Sequence, residues 1–203
     1  TRTLRQAILH TLLTRGLPGR HTKFKTVRLG DLYAERSEDG IEGLPIMSVT
    51  ANGLVPRSSV DRRVESELED EGHALVRKGD LAYNMMRMWQ GVSGLADRDC
   101  LVSPAYVVCS PKKGLVPEYG ALLLKAPHIV RLLHLHSQGV HEDRLRLYFK
   151  HFAPIKVEIP DEDTQRMSVR MIAAMDARVA AAELHIGQLE REKAALSAAL
   201  LSG

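Results

Sequence analysis

Apolar positions in the last fifth of the chain recur at alternating spacings of three and four. With Ile172 at heptad position a, Val179, Ile186, Lys193 and Leu200 follow at a, and Met175, Ala182, Leu189 and Leu196 fall at d. Eight of these nine positions are apolar, and Ala, Glu, Arg and Gln fill the flanks. That pattern predicts a coiled-coil helix over residues 165–201. Pro160 stops what precedes it, and Asp161, Glu162 and Asp163 place negative charge where the helix dipole favours it. Gly203 is the expected stop at the far end. Such a helix reaches roughly 50–55 Å at 1.5 Å per residue. Its stripe is narrower than that of a helix lying on its own domain. It is therefore expected to pair with another long helix, in this chain or in a partner, with Lys193 fixing register.

The rest of the chain alternates shorter signals. Leu4, Ile8 and Leu12 predict a helix over residues 4–14, ended by Gly16 and Pro18. It starts without a cap, as the tail of a longer helix would. Its Ala7-Ile8 and Leu12-Leu13-Thr14 resemble Ala195-Leu196 and Leu200-Leu201-Ser202. One unit of a circularly repeating architecture would start with the element it ends with. Strands are predicted at 26–29 and 44–50, the latter turning at Ala51-Asn52-Gly53 into Leu54-Val55. Residues 60–71 are charged and read as a loop or exposed helix. Residues 76–83 read as strand, turn, strand. Further strands are expected at 91–95 and 101–109, with a bend or edge at Ser103-Pro104. Helices are predicted at 117–124 and 129–137, a short helix or turn at 145–151 and a strand at 155–159. The fold class is α+β: a mixed block, read as a sheet or small barrel with peripheral helices, carrying one long C-terminal helix. The expected divisions are a helix tail at 1–16, a compact domain at 17–160 and the long helix at 161–203.

Composition narrows this picture. Aromatic residues are scarce, with Trp89 the single tryptophan, so the core must be aliphatic. No apolar run reaches the length of a membrane span, and the N-terminus lacks the continuous apolar stretch of a signal peptide. Cys100 and Cys109 lack a CxxC spacing and read as reduced thiols of a cytosolic protein. Charge is uneven. Residues 1–30 hold seven bases and no acid, 31–71 hold eleven acids against four bases, and 72–160 hold twelve bases against seven acids. Basic stretches of this kind suit a polyanion, though solvated faces of a mixed-charge protein give the same counts.

Signs of catalysis are missing. His134 and His136 could hold a metal on an extended backbone, but on a helix their rings diverge, and no third ligand stands at the right spacing. Neither a nucleophile elbow nor a phosphate loop is present. Nucleic-acid chemistry is better represented. Residues 83–91 hold Tyr83, Asn84, Arg87, Trp89 and Gln90 in one strand-to-loop stretch. Asn and Gln can pair bidentately with adenine, and Arg with guanine. The alternative is a scaffold, with Met85, Met86 and Met88 in a core and Trp89 as a buried wedge. Ser48, Thr50 and Asn52 offer hydroxyls and an amide at a turn, or form a plain hairpin. Arg57, Arg62, Arg63, Arg144 and Arg146 are candidate phosphate contacts.

Taken together, four stretches resemble the specificity subunit of type I restriction–modification enzymes, over nearly the whole chain. They are PIMSVTANGLVP at 45–56, KGDLAYNMMRMWQG at 78–91, VSPAYV at 102–107, and Ile159-Pro160 followed by Gln165 at the head of the long helix. The run at 78–91 is the most specific. The resemblance implies a target recognition domain followed by a conserved spacer helix. In that family two such units form one subunit, antiparallel helices hold the two recognition domains apart along double-stranded DNA, and each domain reads half of a split target. The subunit is not catalytic and holds no cofactor. It docks modification (methyltransferase) subunits, which use S-adenosylmethionine, and through them restriction subunits driven by ATP.

The chain departs from the family pattern in holding one recognition domain and only a stump of the first helix. It is either a half-length subunit that pairs with a copy of itself, or half of a longer chain. A homodimer would read a split palindrome. The turn before the long helix carries Asp161, Glu162 and Asp163 where the family has a fuller Pro-rich form. A second reading is a protein–protein scaffold whose coiled coil joins enzymes without DNA binding, and a third is a small hydrolase using a histidine. Salt-sensitive duplex binding separates the first from the second. Activity without partners would mark the third.

Overall fold

The computed structural model describes residues 2–59, 72–141 and 144–201. The charged stretch at 60–71, with Arg62 and Arg63, and the expected stop at Gly203 lie outside the described residues.

The β-framework is assembled from short antiparallel pairings. Strand β1 (Lys25–Arg28) pairs with β10 (Lys156–Ile159), Lys25 opposite Ile159, so the body is closed by joining its first strand to its last. A four-stranded sheet runs in the order β2 (Tyr33–Arg36), β9 (Tyr106–Pro111), β6 (Leu81–Asn84), β7 (Ser93–Leu95). The hairpin β3 (Met47–Thr50) and β4 (Gly53–Pro56) turns at Asn52 as expected, and β5 (Ala74–Val76) pairs with β8 (Cys100–Val102). Separate small sheets thus stand in place of a single sheet or barrel. The hairpin lies so close on β7 that a Cβ on Gly94 would meet the Leu54 backbone nitrogen at 2.4 Å. Glycine is the side chain this crossing admits.

Six α-helices among the described residues surround the strands: α1 (Arg2–Thr14), α2 (Leu29–Leu32), α3 (Pro117–Leu123), α4 (Pro127–His136), α5 (Phe149–Phe152) and α6 (Glu162–Leu201). Neither α2 nor β2 is foreseen by periodicity, because each is only four residues long and α2 directly follows a strand. The main core gathers Leu29, Tyr33, Leu81, Tyr83, Tyr119, Leu123, Leu133 and Phe152 from six of these elements, so it is not the purely aliphatic core expected: four of the few aromatic residues lie in it. Cys100 and Cys109 are buried free thiols, and burial pushes Cys100 up to about 11.

A polar lock holds the sheet beneath the motif at 78–91. Asp80, almost fully buried, accepts from Arg36 Nε at 2.5 Å and from the Arg77 backbone N–H at 2.9 Å. Arg36 also pairs with Glu38, which in turn accepts from Arg77 Nη2 at 2.8 Å. A buried carboxylate needs such partners to remain charged.

Helix α6 starts on a side-chain cap. Asp161 accepts from the Thr164 backbone N–H at 2.9 Å and from its hydroxyl at 3.0 Å, and these bonds hold its carboxyl below its ordinary range. The helix has 40 residues, about 60 Å of rise. Its near third is bound to the body, with Gln165, Ser168 and Ile172 buried. Helix α1 packs on this third through Arg5, which reaches Asp176, and the chain past its end returns towards the base of α6, with Arg20 Nη1 3.7 Å from Met167 Sδ, so the two run antiparallel. Leu9, Leu12 and Leu13 anchor α1 in the core. The heptad positions therefore divide into three groups. Ile172 is in the chain's own core, Met175, Val179 and Ala182 edge an apolar groove shared with Leu4 and Ile8, and Ile186, Leu189, Leu196 and Leu200 are exposed. No helix among the described residues is long and apolar enough to cross a membrane.

Candidate nucleic-acid interface

The stretch after β6 forms a tightly closed loop. Asn84 Oδ1 accepts from the Met86 backbone N–H at 3.0 Å, the turn an Asn side chain favours, and Asn84 O accepts from Arg87 N–H at 3.0 Å. Met88 is buried, and a single 3-10 turn over Met88–Gln90 ends at Gly91 in the left-handed region, φ 76°. Trp89 donates its indole N–H to Met86 O at 3.0 Å and rests on the His134 ring of α4, centroids 5.5 Å apart. The loop thus separates into supports and presented groups. Asn84, Met88 and Trp89 are engaged in holding it, while Met86, Arg87 and Gln90 are exposed.

A second segment lies against this loop. The Leu147 N–H donates to Met85 O at 2.8 Å, and Gln138 and Arg146 exchange backbone hydrogen bonds of 2.8 Å. Arg144, Arg146, Tyr148 and Lys150 are exposed along it, with Lys150 Nζ 5.9 Å from the Tyr148 ring centroid. Arg87, Gln90, Arg144 and Arg146, distant in sequence, are thereby carried on two adjoining segments.

The hairpin candidates are placed differently. The Thr50 hydroxyl donates to Gly53 O at 3.0 Å and accepts from Asn52 N–H at 3.2 Å, so it closes the turn. Ser48 is half-buried opposite Val55, and Arg57 opens a 3-10 turn at the end of β4. Asn52 is exposed at the edge of a cleft of about 800 Å³ between the hairpin, α3 and α6. Arg5, Arg98 and Lys125 line this cleft together with Asp97, Glu118 and Asp176, a balanced set unlike a phosphate cradle.

Lys125, which sequence reasoning passed over, spans the two loops. Its Nζ donates to Ala51 O at 3.1 Å, and its Cα lies 3.9 Å from where a Cβ on Gly91 would stand. Desolvation, then the nearby Arg5 charge, lower its pKa. The local signal was faint: one cation breaking an apolar run between two helices.

His134 is taken up by Trp89, and His136 Nδ1 is 2.8 Å from Leu132 O. No group of three metal-ligating side chains occurs among the described residues. The arrangement presents charged and amide donors from rigid supports, which suits recognition of phosphates and base edges.

No family model and no curated protein matches the chain. Solved structures do. Over 89% of its length the chain is similar to the HsdS subunit from Thermoanaerobacter tengcongensis, at 16% identity and a TM-score of 0.55. Over 93% it is similar to the type I restriction–modification S subunit from M. genitalium, at 14% identity and 0.59. Over 94% it is similar to a chain from a type I R-M system solved for its complex assembly and conformational transition, at 16% and 0.58. It covers 44%, 50% and 50% of those three chains, in the order HsdS, M. genitalium, R-M complex, so it spans about half their length. The fold is that of one half of a type I specificity subunit: an α+β body with a long C-terminal helix.

Proposed function

We propose that this chain is a non-catalytic, sequence-specific DNA-binding specificity subunit of a type I restriction–modification system. Its body reads one half of a bipartite target, and its long helix sets the distance to the other half. The observation that carries this reading is the shared fold over about nine-tenths of the chain. The loop presenting Arg87 and Gln90 beside Arg144 and Arg146 supports it, because those groups are suited to base edges and phosphates. The bare outer positions Ile186, Leu189, Leu196 and Leu200 support helix pairing, since an apolar stripe of this length is unstable in water without a partner. A second recognition unit is the occupant we assign to it, as a homodimer if the chain is a half-length subunit. S-adenosylmethionine and ATP belong to the modification and restriction subunits that this chain would dock, and the complex would work in the cytoplasm.

Co-expression with a cognate modification subunit, followed by mapping of methylated sites, tests the proposal. A split target is the expected result, palindromic if two copies pair. Duplex binding should weaken steeply with salt as phosphate contacts release counterions. Pairing without duplex binding would leave the scaffold reading in its place.

A further inference from the structure

A fully buried polar side chain sits where the rod leaves the body. Gln165 Oε1 accepts from the Val116 backbone N–H at 2.8 Å, and Nε2 donates to Gly114 O at 3.0 Å and to Pro160 O at 2.9 Å. One amide group thus ties α6 to the loop that starts α3 and to the stretch that joins β10 to α6. A buried amide with both ends engaged resists rotation, because each lost bond leaves an unpaired group in the core. Three turns on, about 16 Å along the axis, Asp176 is held by Arg5, with Ile172 buried between the two points. A stiff helix held at two separated points has a fixed direction. Past Ala182 the outer apolar positions Leu184, Ile186 and Leu189 are exposed and supply no further guide.

The lever is long. From Gln165 to Leu200 is about 52 Å of helix, so a tilt of about 10° at the base displaces the tip by about 9 Å. That is two to three base-pair steps at about 3.4 Å each.

We infer that Gln165 is a positioning residue that fixes the angle between body and rod, and with it the separation at which two half-sites can be read. The angular part stands on the geometry alone. The spacing part rests on the proposed DNA-reading function.

Two variants test it. Gln165→Leu removes all three bonds. Gln165→Glu keeps the shape but turns a carboxylate oxygen towards two carbonyls, a repulsion eased when the acid is protonated and its single O–H can donate to one of them. Spin labels at K78C on the body and E190C on the rod, in protein diluted with unlabelled chain, report the angle as a distance distribution. Cys100 and Cys109 are buried and do not compete for label. The native protein should give one narrow distance. Gln165→Leu should broaden it, and Gln165→Glu should broaden it at neutral pH and narrow it on acidification. A distribution that stays native in the folded Gln165→Leu protein overturns the inference, since a merely structural role would lower the melting temperature only. If Gln165→Leu does not fold, a pH-independent Gln165→Glu distribution overturns it equally.

The spacing part is read with the modification subunit on targets of graded half-site separation. The modification subunit should methylate one separation when paired with the native protein and several when paired with Gln165→Glu, with half-site sequence unchanged. Broadened distances with unchanged separation would refute the spacing part. If the native protein marks no bipartite target, the DNA-reading proposal and the spacing part fall together, while the distance measurement still decides the joint.

Discussion

Arg5 and Asp176 stand 171 residues apart in the chain and meet in a two-point ion pair, Nε to Oδ1 at 2.5 Å and Nη2 to Oδ2 at 2.9 Å. The pair ties the N-terminal helix α1 to the rod α6 at the margin of the body. Fork-to-carboxylate geometry of this kind is stronger than a single contact, and partial exposure limits it.

The Arg5 hydrogen bond holds the Asp176 carboxyl below its ordinary range. A carboxyl lowered by folding stabilises above its unfolded value, about 3.9, and that contribution is lost as pH falls through the lowered native value. We expect Asp176→Asn to cost about 0.5–1 kcal/mol at neutral pH and to flatten part of the acid-side loss. Thermal melts of both proteins from neutral to about pH 2 check this. Parallel curves would mean that the pair adds nothing.

Asp80 is the acceptor on which Arg36 and the Arg77 N–H converge. Asp80→Ala should destabilise by about 3–5 kcal/mol, because the Arg36 guanidinium is left without its main partner in a largely buried place. Replacing both Arg36 and Asp80 with leucine should recover much of the loss. Denaturant midpoints of the single and double variants give the answer.

Arg87 and Trp89 should fail in different ways. Arg87→Ala removes an exposed side chain and should cost about 1–3 kcal/mol in specific binding with little change in melting temperature, if it reads a guanine. Trp89→Ala should lower stability as well, because it removes both the hydrogen bond to Met86 O and the ring contact with His134. Gel-shift titrations beside thermal melts separate the two. Equal target discrimination in Arg87→Ala would assign base reading elsewhere.

Ile186 is half-exposed on the bare part of the rod. Ile186→Asp should leave the melting of the body unchanged and abolish helix pairing. Sedimentation velocity reports it, and an unaltered sedimentation coefficient would show that this part of the helix does not mediate assembly.

The long helix and the Asn52 turn could be read from sequence because their signals are local: a heptad repeat and an Asn-Gly pair between strand formers. The partners of those elements could not. Nothing in residues 74–76 points to Cys100 rather than to the strand that follows five residues later. Nor does the heptad at Ile172 reveal that the body claims this position for its own core while Ile186 is left bare. The polar locks were the least visible. Asp80 and Gln165 stand in stretches that carry the family resemblance, but only three-dimensional neighbours reveal that both are buried and which groups they bind. At the candidate interface, the exposed face of Arg87 was legible from residue type, but the engagement of Thr50 and Trp89 in closing their own loops was not.

The register of Lys25 against Ile159 carries a consequence for how such a protein can change. Every residue proposed to contact DNA lies between two strands zipped side by side, so the body that carries them is plugged in through one socket. Loops other than the one holding Gly114 and Val116 can be lengthened, trimmed or exchanged while the socket stays shut, and the mast beyond keeps its bearing.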